Sequence, residues 1–355
     1  MKIGIIGLPG SGKSTVFNLL AETFEGVDYS QDPTKPRVRT VKVRDPRLER
    51  LRDDYQPKKY TPAGVELLDF PGVASTDEDR SGLTDILQPA REMDALLIVL
   101  RAFATPGQAS GAPAPLKDLA SLRAELLLTD LVITDRRLEK LAEKSRKPSF
   151  TDDDRREQAL LERVKVRLEE EKPLTDLGLS AEDARRLAGF CFLSGKPFVT
   201  VLSTEGVVAP GQDLATIQST AGGEVISVPA RNELEILSLR EEERAPFLEE
   251  YGIREFQRER IISAAYRAAG LISFFTAGDK EVRAWTIHVG DTAPKAAGAI
   301  HSDFERGFIR AEVVSFDDYV KFGGVKGAKE KGRYRLEGRE YVVQEADIVE
   351  FRFSV

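Results

Sequence analysis

The chain has 355 residues, more than one ordinary domain holds, so two or three domains are expected. An apolar content of 41% and a charged content of 31% are those of a globular protein, and no apolar run approaches the roughly 20 residues that cross a bilayer. A net charge of -7 excludes a wholly basic nucleic-acid binder, so no DNA partner is expected and any RNA contact falls to a local basic patch.

In chain order, KIGII (residues 2–6) is short, apolar and β-rich, as a buried parallel strand is, and reads as a strand and not as a signal peptide. GLPGSGKS, Gly7 to Ser14, fits the phosphate-cradle pattern G-x-x-x-x-G-K-[ST]. SGKSTVFNLLAETF then predicts a helix with Val16, Leu19, Leu20 and Phe24 on one face. The polar, proline-punctuated stretch from Tyr29 to Pro46 reads as a loop leading into an edge strand. VELLDFPG (65–72), ALLIVLRAF (95–103), GKPFVTVL (195–202) and GGEVISVPA (222–230) are further strands, and their alternation with helical stretches predicts a doubly wound parallel α/β sheet.

From Leu116 to Lys172 the strand rhythm stops. A long amphipathic helix carries Leu119, Leu122, Leu126, Ile133 and Leu141; KPSFTDDD (147–154) breaks it, with Thr151 or a neighbouring Asp able to cap a return helix. This predicts an inserted, coiled-coil-like hairpin, which reads either as a solvated prop or as a partner-binding arm. After a helix near 255–269 come AWTIHV, FIRAEVV, YVVQ and IVEFRFSV as strands, with PKAAGAIHSDFERG as a short helix among them. The expected division is residues 1–115 and 174–268 for nucleotide binding, 116–173 for the hairpin, and 269–355 for a small mixed-sheet domain.

The motif chemistry is specific. Gly7, Gly10 and Gly12 let the backbone turn N–H groups toward phosphate oxygens, with Pro9, Ser11 and Thr15 in the same cradle, and the helix that follows adds its N-terminal dipole. Lys13 is placed for the β- and γ-phosphates, and the Ser14 hydroxyl for Mg²⁺. Asp69 ends the second strand in D-x-x-G, where a carboxylate serves the Mg²⁺ shell and Gly72 offers its N–H to a γ-phosphate. Val73 stands where switch GTPases carry a water-orienting Gln. Thr34 is the candidate to close on Mg²⁺ and the γ-phosphate, or else an ordinary loop threonine. Base recognition falls on VLSTEG, with Ser203 and Glu205 as candidates; it lacks the Asn and Lys of the guanine motif N-K-x-D. A nucleotide switch with slow hydrolysis, a binding module with little or none, and a small-molecule P-loop kinase are the readings open at this point.

FTAGDKEVRAWTIHVGDTAPKAAGAIHSDFERGFIRAEV, YVVQEADIVEFRFSV, VRDPRLERL and the phosphate loop together resemble the YchF (Obg-like ATPase) subfamily of Obg-related P-loop proteins over nearly the full length. The resemblance implies a GTPase-type α/β domain, a helical arm and a C-terminal β-grasp TGS domain. It also implies slow Mg²⁺-dependent hydrolysis of ATP, in some members GTP, in a protein that associates with ribosomes. A hydrophobic residue at the Val73 position is a family trait. Three features depart from the pattern. Gly10 and Ser11 replace the family's Asn-Val. Ser203 stands at the Asn of the family's N-x-x-E, with Glu205 or Gly206 at the acid. No histidine occurs in 104–115, where the family carries one implicated in catalysis. The two histidines, His288 and His301, lie in the C-terminal domain and read as structural. There Lys321, Lys326, Lys329, Lys331, Arg333 and Arg335, with glycines between them, form a basic loop suited to RNA phosphates. The single cysteine, Cys191, allows no internal disulfide, which fits a reducing cytoplasm, and reads as a buried apolar filler.

Overall fold

A computed structural model of the chain describes residues 1–24, 36–71, 87–104, 112–172, 174–206 and 214–354. The strands are β1 (Lys2–Ile6), β2 (Arg37–Lys42), β3 (Lys59–Thr61), β4 (Gly64–Asp69), β5 (Ala95–Ala102), β6 (Phe198–Thr204), β7 (Val225–Val228), β8 (Leu271–Ala277), β9 (Glu281–His288), β10 (Phe308–Ser315), β11 (Arg335–Glu337) and β12 (Asp347–Phe353). The helices up to the last β-rich segment are α1 (Lys13–Ala21), α2 (Pro46–Tyr55), α3 (Pro115–Ser145), α4 (Asp152–Glu169), α5 (Ala181–Ala188), α6 (Leu214–Ala221), α7 (Ala230–Leu237), α8 (Arg244–Glu250) and α9 (Gln257–Ala268). Within that segment follow α10 (Ala293–Ile300), α11 (Ser302–Arg306), α12 (Phe316–Lys321) and α13 (Val325–Glu330). Two compact units result, one of residues 2–39 and 67–261, the other of Met1, 40–66 and 262–355.

The first sheet runs β2-β4-β1-β5-β6-β7, and β1/β5, β5/β6 and β6/β7 pair in parallel. β5 is buried from Ala95 to Leu100, the continuous apolar run of a central parallel strand covered on both faces. β1 lies between β4 and β5, so its carboxyl end opens at the middle of the sheet, where such folds bind ligands. β2 is the edge strand that the sequence predicts.

The helical insertion divides its work. Leu119, Leu122 and Leu126 in the first turns of α3 join the sheet core beside Leu96, Ile98 and Leu100. Each such buried leucine stabilises the fold by about 2 kcal/mol. Leu141 belongs to a separate core with Leu160, Leu161, Val164 and Leu168 of α4, while Ile133 is only half-buried. Thr151 caps α4: its hydroxyl accepts the Asp154 N–H at 3.2 Å, and the Asp154 carboxylate accepts the Thr151 N–H at 2.8 Å. α3 is anchored by Asp130, which takes Arg91 at 2.8 Å and the Leu193 and Ser194 N–H groups at 3.0 and 2.8 Å.

In the second unit the sheet runs β11-β10-β12-β8-β9-β3, mixed in direction. Alternation along its strands feeds two cores. Phe275 and Val314 face one that includes Leu48 and Leu51 of α2, and Phe274 and Val313 face one that includes Ala293, Ala296 and Ala297 of α10. β3 joins this sheet by parallel pairing with β9.

Five local expectations are corrected. Cys191, expected as a buried filler, is exposed, at φ 49°. Phe24 lies past the end of α1 and is 54% exposed, because the chain turns at Glu22 in a left-handed conformation. YVVQ makes one isolated bridge, Val342 to Thr292, and is not a strand. PKAAGAIHSDFERG is two helices, divided at the extended His301, whose ring accepts the Asp303 N–H and caps the second. The basic glycine-containing loop is in fact two short helices, α12 and α13, joined through Gly323 and Gly324 at positive φ.

Candidate nucleotide-binding site

The loop between β1 and α1 requires its glycines. A Cβ on Gly7 would lie 2.5 Å from the Val99 carbonyl oxygen on β5, and Gly12 adopts φ 90° with Ser203 Oγ of β6 only 2.7 Å from where its Cβ would be. The loop backbone is thus pressed onto two central strands. Gly10 is exposed at φ 73°, with Pro9 exposed beside it. α1 starts without a side-chain cap or an acid in its first turn, so its N-terminal dipole is uncompensated, as an anion site needs.

Lys13 opens α1 and is buried, its ammonium donating to the Leu8 carbonyl at 3.0 Å. Burial pushes it down from 10.5 to about 8, against the opposing pull of the Asp69 charge. A bound phosphate would place a further anion beside this buried ammonium. Ser14 Oγ donates to Asp69 Oδ2 at 3.2 Å, so the two oxygens assigned to Mg²⁺ from the sequence do converge. Thr15, half-buried, follows on the same turn. Two buried polar atoms in the cradle, Ser11 Oγ and Asp69 Oδ1, have no hydrogen-bond partner among the described residues. Hard oxygen donors with spare capacity fit a small divalent cation.

One residue of the site had no motif to mark it. Arg37, at the start of β2, places Nη2 at 2.6 Å and Nε at 3.2 Å from Asp69 Oδ2, and its guanidinium lies over the Phe17 ring, 4.6 Å from the centroid. A basic residue opening the edge strand was the one available signal, and sequence distance hid its partner. Ser203 is buried against the back of the loop, and Glu205 is exposed just beyond β6, where Thr204 Oγ1 donates to the Gly206 carbonyl at 2.5 Å. Thr34, Gly72 and Val73 lie outside the described residues.

The chain is 39% identical to the ribosome-binding ATPase YchF of Bacillus subtilis (strain 168), an alignment that spans 99% of each chain. The chain belongs to the YchF family. The YchF protein of Escherichia coli O157:H7 is 37% identical over 100% of this chain and 99% of its own, and the Obg-like ATPase 1 of Caenorhabditis elegans is 34% identical over 100% and 92%. The model of the 50S ribosome-binding GTPase family matches residues 2–150, and the YchF-GTPase C-terminal model, described as a protein of unknown function, matches residues 271–354. The solved Schizosaccharomyces pombe YchF GTPase superposes with a TM-score of 0.82 at 27% identity, covering 99% of this chain and 97% of that one. The YchF family and its P-loop GTPase-type fold, both expected from the sequence, are therefore those of this chain.

Proposed function

We propose that the chain is a Mg²⁺-dependent ATP- or GTP-hydrolysing switch that acts on the ribosome in the cytoplasm. The observation that carries this is the convergence of Lys13, Ser14 and Asp69 at the mouth of a glycine cradle with an uncompensated helix N-terminus. In this reading the N–H groups from Gly10 to Thr15 hold the phosphates, and Lys13 neutralises the β- and γ-oxygens. Ser14 and Asp69 would hold Mg²⁺, which supplies charge neutralisation on the phosphates. Ser203 and Glu205 are the residues assigned to the base, and Thr34 and Gly72 to the γ-phosphate.

Ribosome association rests on the names of the relatives, ribosome-binding ATPases that align over the whole chain. Two surfaces suit it. Lys321, Lys326, Lys329, Lys331 and Arg333 are exposed on and around α12 and α13, a geometry that can follow an RNA backbone, whereas Arg335 is half-buried and pairs with Glu337 at 2.9 Å. On the hairpin, Leu128, Val132 and Val166 stay exposed, which favours the partner-arm reading.

The test is equilibrium titration with non-hydrolysable ATP and GTP analogues, with and without Mg²⁺, beside Lys13→Ala, followed by co-sedimentation of the loaded protein with ribosomes. Mg²⁺-strengthened binding that Lys13→Ala abolishes, with ribosome binding that depends on the nucleotide, is the expected result. Ribosome binding indifferent to nucleotide would remove the switch.

A further inference from the structure

Arg37 pairs with the carboxylate assigned to the cation. Asp69 Oδ2 is the carboxylate oxygen that meets Ser14 Oγ, and the same atom takes both Arg37 contacts, at 2.6 and 3.2 Å. Oδ1, by contrast, is buried with no partner among the described residues. The donors are therefore stacked on the carboxylate oxygen that faces Ser14. A cation that binds Asp69 Oδ2 competes with the Arg37 guanidinium for the same oxygen. The Arg37 side chain is 30% exposed and lies over the Phe17 ring, which leaves it an apolar rest and a route to water once its ion pair is broken.

We propose that Arg37 is a resident counter-cation for Asp69, which Mg²⁺ must displace when it loads with a nucleoside triphosphate, so that Arg37 sets the Mg²⁺ concentration at which the site fills. This rests on the nucleotide-binding reading above. With Arg37 in place, the Asp69 charge is already neutralised and metal-free nucleotide meets little repulsion there. Without Arg37, a bare carboxylate faces the phosphates until Mg²⁺ arrives. Removing the guanidinium thus weakens metal-free binding and strengthens the response to Mg²⁺, two opposite changes in one variant.

The experiment titrates MgCl₂ against the full-length protein with fluorescent non-hydrolysable ATP and GTP analogues, in wild type, Arg37→Gln and Arg37→Lys. Arg37→Gln should need about tenfold less Mg²⁺ for half-maximal loading, the effect of one charge-assisted hydrogen bond, and should bind metal-free nucleotide more weakly than wild type. Arg37→Lys keeps the charge but loses the fork, and should fall between the two. If Arg37→Gln does not fold, Arg37→Lys carries the test with a shift in the same direction. A folded variant whose half-maximal Mg²⁺ equals that of wild type overturns the role of Arg37 and leaves nucleotide binding intact. A wild type that binds neither analogue at any Mg²⁺ concentration overturns the functional reading, and this one with it.

Discussion

Two buried aspartates of the same unit each hold an arginine, and they are built for opposite ends. Asp130 is fully enclosed and saturated: Oδ1 accepts from Arg91 and the Leu193 N–H, Oδ2 from the Ser194 N–H and hydroxyl at 2.8 and 2.7 Å. Asp69 crowds its donors onto Oδ2 and leaves Oδ1 without one among the described residues. The arginines differ likewise, since Arg91 is 4% exposed and Arg37 is 30% exposed. A carboxylate that locks structure is satisfied in the fold as it stands. On the reading proposed above, Asp69 serves a ligand, and its unused oxygen and partly exposed partner accord with that role.

The contrast breaks first at Asp130. Its replacement by alanine strands the Arg91 charge in the core and frees two N–H groups of the turn that receives α3. A loss of about 3–5 kcal/mol is expected, read as a shift in the urea midpoint. Because no atom of this network touches the phosphate loop, the folded fraction of Asp130→Ala should bind nucleotide as wild type does. A mild stability loss would mean that α3 is held by its leucines alone.

Asp69→Asn should show the reverse pattern. The amide oxygen can still accept from Ser14 and from Arg37, whose charge is open to water, so stability should move by no more than about 1 kcal/mol. The strengthening of nucleotide binding by Mg²⁺ should instead fall by at least about tenfold, since a neutral amide is a poor ligand for that ion. A large stability loss with the Mg²⁺ response intact would make Asp69 a structural residue like Asp130.

How far the sequence foretold this follows the range of the interaction concerned. The cradle was legible because glycine geometry, Lys13 and Ser14 fall within eight consecutive residues, and strand β1 and helix α1 announce themselves by composition on either side. Asp69 was legible because D-x-x-G closes an apolar strand. Arg37 was not, since its meaning lies in a contact across 32 positions that no periodicity encodes. The pairing of β3 with β9 was hidden for the same reason: three residues form the strand, and the partner lies far along the chain. The split role of α3 was partly visible. Its leucine stripe runs unbroken, and only packing shows that the first turns cover the sheet while the later ones meet α4. The basic segment misled because glycine and lysine suggested a loop, whereas Ala328 and Tyr319, both buried, pin it as helices.

A third buried acid sharpens the comparison by having no cationic partner among its resolved contacts. Glu233, in the first turn of α7, is fully buried, and both its oxygens accept the Gln257 N–H, at 3.1 and 3.0 Å, at the start of α9. Desolvation outweighs that bond and raises the carboxyl from 4.5 to about 8, with the nearby Glu259 charge adding to the rise. The folded state therefore keeps a proton that the unfolded chain gives up near 4.5. Stability from this group is complete below that pH, declines as pH rises toward about 8, and levels off above it. Glu233→Gln cannot ionise, yet its amide oxygen can still accept the Gln257 N–H. The variant should match wild type in acid and become the more stable of the two as pH rises, with the gap read from urea midpoints at a series of pH values. A constant gap would mean that Glu233 is ionised in the fold and acts, like Asp130, as a satisfied structural carboxylate held by the N-terminus of α9.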